Sequence, residues 1–178
     1  MIRNILISLG VVALMAGSAL AQESQSVAAF KDWTVFTPPG SPKECFMVSP
    51  PVSSKATRNG SDVTSSVRRG DIRLFVTMRP EQGVQREVSF TGGYPFAPSS
   101  TVDVAIGNDK FTLSVGSGQT NEWAWPASPE RDQSLISAMR RGSTATLTAR
   151  SARGTVTADQ FSLIGFTAAL EKIEELCK

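Results

Sequence analysis

Histidine is absent from this chain, and that absence excludes more chemistry than any residue present supplies. Without an imidazole there is no Ser-His-Asp or Cys-His catalysis, no histidine-ligated zinc and no histidine pH switch. Cysteine is nearly as scarce, with only Cys45 and Cys177. Their spacing is far from the Cys-x-x-Cys of a redox pair, so a reactive thiol is not expected. A charge excess is missing too: 18 basic residues face 16 acidic ones, which implies neither nucleic acid nor a strongly anionic membrane surface as partner. No residue grouping calls for a cofactor or a metal.

Long apolar runs are confined to the N-terminus. Arg3 is followed by an apolar stretch running to Met15, and Ala19-Leu20-Ala21 supplies the small residues of a cleavage site. This reads as a secretory signal peptide over residues 1–21. The stretch is shorter than the roughly 20 residues a membrane span needs, and no later segment approaches that length. The expected mature protein is residues 22–178, one domain with no integral membrane segment. No cysteine follows the cleavage site, so a lipid anchor is not expected. Export would place Cys45 and Cys177 in an oxidising compartment, where two cysteines allow one intramolecular pairing. The sequence therefore predicts a Cys45–Cys177 disulfide, worth on the order of 5 kcal/mol in the chain-entropy model.

What remains is written mostly in a period of two. Strands are expected over Phe30–Phe36, Cys45–Val48, Ile72–Met78 and Arg86–Phe90, each stopped by proline or glycine. From Val52 to Arg69 apolar periodicity fades into a long exposed loop or loose hairpin, a kind of segment that often carries function. Thr101–Ile106 and Lys110–Val115 flank Gly107-Asn108-Asp109 and make the cleanest hairpin. A further arm, Thr120–Trp125, ends at Pro126. Thr144–Ala149 and Thr155–Ile164 form a closing hairpin around Ser151–Gly154. Eight or nine short strands at this spacing argue for an all-β sandwich or barrel.

Two helices interrupt the pattern. Ser128-Pro129-Glu130 is a helix start, with Ser as cap and Pro at the first position, and Arg140-Arg141-Gly142 is its basic last turn and glycine stop. The C-terminal run Phe166, Ala169, Leu170, Ile173 and Cys177 repeats at helical steps and gives one apolar stripe. So short a helix is marginal alone, and Glu174 and Glu175 oppose its dipole. It is expected to act as a latch over one open end or edge of the sandwich, held by its stripe and by Cys177.

Three surfaces are candidates for binding. Trp123 and Trp125 share one side of a strand and, with Tyr94 and Phe96, could stack on a sugar or a partner's side chain; the competing reading buries at least one of them in the core. Arginines cluster early at Arg68, Arg69 and Arg73, and late at Arg140, Arg141, Arg150 and Arg153. The late group would suit an anionic headgroup or glycan if its helix end and hairpin lay together, the ordinary alternative being dipole complementation and solvated turn charges. Arg69-Gly70-Asp71 has the form of an integrin-binding tripeptide, but reads more simply as a turn leading into a strand. Ser54-Lys55 lacks the burial that would activate a lysine base. Asp62, Asp71, Asp103 and Asp109 lie beside turns, where acids are ordinary, and no catalytic residue is assigned.

An ordered set of stretches resembles the invasion-associated locus B family of exported bacterial proteins: Phe30–Trp33, Cys45–Ser49, Arg69–Asp71 leading into Phe75–Pro80, Gly93–Phe96, Ala138–Gly142, Ser151–Thr155 and Phe161–Leu170. The likeness spans nearly the whole chain after the leader. It implies an immunoglobulin-like β-sandwich and a place in the periplasm or outer cell envelope, or secretion. It supplies no catalytic residues. The expected function is a non-enzymatic envelope module that binds or stabilises an envelope or host-surface protein or glycan, with oligomeric state left open. The alternatives are an adhesion factor contacting host cells and a histidine-free glycan hydrolase using paired carboxylates.

Overall fold

A computed structural model describes residues 26–178, so the signal peptide expected over residues 1–21 lies outside the described residues. Twelve strands run in chain order: β1 (Ser26–Phe30), β2 (Trp33–Phe36), β3 (Cys45–Ser49), β4 (Ser53–Arg58), β5 (Ser61–Asp62), β6 (Arg73–Arg79), β7 (Val84–Thr91), β8 (Thr101–Ile106), β9 (Asp109–Val115), β10 (Trp123–Trp125), β11 (Thr144–Arg150) and β12 (Val156–Ser162). Helix α1 (Pro129–Arg141) falls between β10 and β11, and α2 (Phe166–Leu176) closes the chain. All pairings are antiparallel, in the order β1-β2-β3-β6-β7-β10-β9-β8-β11-β12-β4-β5.

This one hydrogen-bonded order doubles back into the two facing layers of a β-sandwich. Across the interior, Phe90 of β7 meets Phe161 of β12 edge to face at 6.1 Å, and Trp33 of β2 donates its Nε1–H to the Ser162 carbonyl at 3.0 Å. Alternation sets which residues face in: Trp33 and Val35, Cys45 and Met47, Leu74 and Val76, Val102 and Val104, and Ala145 and Leu147 are all buried.

The strand count exceeds the expected eight or nine for two local reasons. The expected Phe30–Phe36 strand holds only β2, because the chain reverses at Lys31-Asp32, with Lys31 at φ 55°, and Phe30 ends the added strand β1. The Val52–Arg69 stretch takes the hairpin form of its two expected ones over Ser53–Asp62, and its first arm, β4, pairs with β12 from Ser53 to Thr57. Apolar periodicity fades there because most of this edge faces water; Ala56 alone turns a buried side chain inward.

The ends of α1 differ in detail from expectation. Ser128 caps α1 with its backbone carbonyl, which accepts from Arg131 and Asp132, and makes no side-chain cap bond. Gly142 ends α1 at φ −85°, not in a left-handed turn. Its role is room: a Cβ there would sit 2.4 Å from Ile106 Cγ2. Gly165, by contrast, needs its freedom twice over, with φ +89° and its Cβ position against the Phe30 carbonyl.

The latch forms as its sequence predicts. Phe166, Ala169, Leu170 and Ile173 are the buried residues of α2, and α2 packs on β1, β2 and β3, with Phe166 edge-on to Trp33 at 5.1 Å. Each large side chain so buried contributes about 1.5–3 kcal/mol. Cys177 is bonded to Cys45, a link spanning 132 residues of sequence. Glu174, unfavourable for the helix dipole, accepts from Arg86 Nε at 2.7 Å and Arg140 at 3.4 Å. Both helices lie at the Thr144/Ser162 end of the β11–β12 hairpin. The other end, the Ser151–Gly154 turn, is left for the site.

Candidate functional site

The turn end of the sandwich holds a groove of about 650 Å³. Its walls come from the end of β4, the segment after β5, the turn after β7 and the β11–β12 turn, and they bring Arg58, Arg68, Arg69 and Arg153 around Tyr94. The only carboxylate in the lining is Glu122.

A backbone contact builds it. Gly70 donates its N–H to the Gly93 carbonyl at 2.8 Å, and a Cβ on Gly93 would lie 2.5 Å from the Gly70 carbonyl oxygen. Gly93 also sits at φ +70°. Gly93 is therefore needed to let the chains meet, whereas a Cβ on Gly70 would find ordinary contact at 3.5 Å. The contact sets their neighbours Arg69 and Tyr94 side by side, with the guanidinium 5.0 Å from the ring centroid.

Arg69 is then fixed by three further hydrogen bonds. Its Nη1 and Nη2 donate to the two Asp159 carboxylate oxygens at 2.7 and 2.6 Å, and its Nε donates to the Gly92 carbonyl at 2.9 Å. Asp159 is fully buried and the Arg69 side chain 10% exposed, so the pair is a planar two-point bond out of water. Arg58 is held differently, by Nε and Nη2 donating to Thr155 Oγ1 at 3.0 and 2.6 Å. Next along β12, Thr157 shares a 2.5 Å hydrogen bond with the Tyr94 hydroxyl. Burial raises the Tyr94 phenol above its ordinary value, opposed by that bond and by the nearby Arg69 charge. Thr155, Thr157 and Asp159 thus form a buried polar row that positions Arg58, Tyr94 and Arg69.

Arg68 and Arg153 are exposed and have no ion-pair or hydrogen-bond partner among the described residues. Three guanidiniums, those of Arg58, Arg68 and Arg153, therefore line the groove without a carboxylate partner. Such a surface can bind an oxyanion through several charge-assisted bonds at once.

The arginine clusters read from sequence are regrouped. Arg140 and Arg141 are separated from Arg150 and Arg153 by the length of β11, about 20 Å at the usual rise per residue. Arg140 pairs with Glu174, and Arg141 lies 3.6 Å from Asp109. Only Arg153 of that group lines the groove, while Arg150 is exposed at the end of β11. From the early cluster, Arg73 turns away to Asp71 and the Ile72 carbonyl. The integrin reading of Arg69-Gly70-Asp71 fails, because the Arg69 guanidinium is bound inside the domain.

The aromatic candidates separate as well. Phe96 is buried, and Tyr94 packs edge-on against it at 5.3 Å. Trp123 and Trp125 are both half-buried on the outer face of β10, with Ala124 filling the inward position. They stack on each other at 6.4 Å, and Trp123 continues a row through Phe75, Phe46 and Phe36. Small Ser89 and Thr91 of β7 are buried beneath this row. The Trp123–Trp125 and Phe36–Phe46 pairs turn ring faces toward each other, which takes up surfaces a sugar would stack on.

The carboxylates considered for hydrolysis are dispersed. Asp62 accepts from the Thr64 N–H at 2.8 Å, a bond that lowers its pKa; Asp71 pairs with Arg73 and Asp109 with Arg141. Lys55 is exposed on β4. No group of three or more potential metal ligands is found among the described residues, and none of their helices is long and apolar enough to cross a membrane.

Arg58, Asp159 and the two threonines were not singled out by sequence reasoning. The available signal was parity: Asp159 alternates with Thr157 and Phe161, so if Phe161 faces the core the acid does too, and it needs a cation.

Residues 33–174 match the family described as Invasion associated locus B (IalB) protein. This chain belongs to the IalB family. The IalB match covers the sandwich from β2 onward, the groove and most of α2. Among solved structures, the chain is similar to the crystal structure of invasion associated protein B from Bartonella henselae, at 17% identity and a TM-score of 0.56, covering 84% of this chain and 96% of that one. At that identity the likeness supports the shared fold, a β-sandwich with helices. No curated protein matches the chain. IalB membership identifies an invasion-associated protein, and the disulfide agrees with an oxidising, extracytoplasmic location.

Proposed function

We propose that this chain is a non-enzymatic binding module of the bacterial cell envelope, exported with cleavage after Ala21 as the single domain 22–178, and that the arginine-walled groove takes an acidic ligand. The carrying observation is the set of three guanidiniums, on Arg58, Arg68 and Arg153, that line one groove with no carboxylate partner. Keeping like charges together costs free energy in the empty protein, and an anionic ligand offsets it. The groove's single carboxylate, Glu122, does not offer the acid–base pair that hydrolysis of a glycan uses.

The test is a calorimetric titration of the mature protein with polyglutamate and with neutral dextran. Polyglutamate should bind with an affinity that falls as salt rises, and Arg68→Gln with Arg153→Gln should weaken it at least tenfold, about 1.4 kcal/mol. Equal binding of the neutral polymer would sink the reading.

The family's description as invasion-associated favours a second reading, in which the groove meets a host-cell surface. It requires the protein on the outside of the bacterium. Protection of the protein from protease added to intact cells would rule this out.

A further inference from the structure

We infer that the group the groove is built to take is a phosphate monoester carried on a sugar, an inference that rests on the anion-binding reading above. The protein contains its own measure of what a carboxylate needs: Asp159 is satisfied by the two-point fork of one guanidinium, Arg69. Three further guanidiniums, on Arg58, Arg68 and Arg153, line the groove and offer more donors than the two-point fork that satisfies Asp159. They match a dianion with three terminal oxygens.

The rest of the groove describes what carries the phosphate. About 650 Å³ is much more than an isolated phosphate fills and lies in the range of small-molecule sites. Glu122 in the lining accepts hydrogen bonds from hydroxyl or amino groups. Val67 and Pro95 add apolar wall, suited to the C–H face of a pyranose. A hydroxyl-rich ring bearing one phosphate satisfies all three kinds of surface.

The source could be soluble or lipid-borne, so the experiment has two arms. In the first, the mature protein is titrated with glucose 6-phosphate, glucuronate, inorganic phosphate and glucose at about pH 5 and about pH 7.5, either side of the second phosphate ionisation near 6. The charged groups facing the ligand are the four arginines and Glu122, with Asp159 paired beneath Arg69. Arginine does not titrate in this window. Glucose 6-phosphate should bind more tightly than the other three, its affinity should rise about fivefold with pH as the dianion forms, and Arg153→Gln should remove most of that rise. Arg141→Gln, at the opposite end of β11, should leave it unchanged.

Glucuronate binding as tightly as glucose 6-phosphate with no pH step would overturn the phosphate assignment while leaving the anion-binding reading intact. Failure of every anion, polyglutamate included, would remove both. In the second arm, co-sedimentation with phosphatidylcholine vesicles carrying an acylated glucosamine phosphate, tighter than binding of the free sugar phosphate, assigns the lipid-borne source. Equal or weaker vesicle binding assigns the soluble one.

Discussion

Arg69 and Asp159, 90 residues apart in sequence, face each other through two hydrogen bonds of 2.7 and 2.6 Å beneath the groove. The pair takes the first residue of an integrin-like tripeptide out of play and makes it a strut. It also neutralises the one buried acid on β12, so that the net positive charge of the groove comes from Arg58, Arg68 and Arg153.

Breaking that strut from one side should be costly. Arg69→Met or Asp159→Leu alone leaves an unpaired buried charge and should destabilise the domain by about 3–5 kcal/mol. The double variant should be much less destabilised than the two singles summed. Urea unfolding of all four proteins measures this, and simple additivity would contradict the buried-pair description.

The glycine contact should be equally specific. Gly93→Ala places a Cβ against the Gly70 carbonyl and strains a positive φ, so a loss of about 2 kcal/mol or more is expected. Gly107 has a similar φ of +56° but open space around it, and Gly107→Ala should cost only about 1 kcal/mol. Matching chemical-denaturation midpoints for the two would exclude a role for the close approach.

Removing the latch bond should loosen one helix before the rest. Cys45→Ser with Cys177→Ser should lower stability by about 2–5 kcal/mol. Hydrogen exchange should rise most in α2, which is too short to persist undocked. Thiol labelling of the unreduced exported protein should find no free cysteine.

Asp132 gives the fold a dependence on pH. On α1 it accepts the Val88 N–H at 2.7 Å. Burial, with Glu87 adding to it, pushes its carboxyl from 3.8 up to about 6, against the lowering effect of that bond. A carboxyl raised in the folded state favours folding while protonated, and the contribution is lost as pH rises through about 6. Thermal melts of the wild type should therefore lose stability between about pH 4 and pH 6.5 relative to Asp132→Asn, which keeps an acceptor for Val88 and no charge. Parallel curves would show that the carboxyl is not burdened by its site.

The elements most legible in the sequence were those whose signal is local. The β8–β9 hairpin follows from strict alternation around Gly107-Asn108, and α2 from its four-residue stripe. Strand β4 lay in a stretch legible only as a loop or a loose hairpin, because an edge facing water needs no apolar alternation. Trp123 and Trp125 showed the limit of composition: tryptophan is usually buried, yet the small Ala124 faces inward because parity along a three-residue strand admits one phase or the other.

The sequence by itself determined the class of the domain, the pairing of its only two cysteines and the stripe by which its last helix docks, because period, count and chemistry leave few alternatives there. Tertiary structure alone decided which arginines act together. Arg140 and Arg153 are thirteen positions apart and belong to opposite ends of one hairpin, whereas Arg58, Arg69 and Arg153 meet through a strand pairing and a glycine contact that no local pattern encodes. Whether Asp159 faced water or the core depended likewise on the phase of β12, where Val156 and Ala158 argue one way and Phe161 the other. Packing Phe161 against Phe90 settled it, since the larger apolar surface outweighs the smaller, and the acid followed inward to its partner.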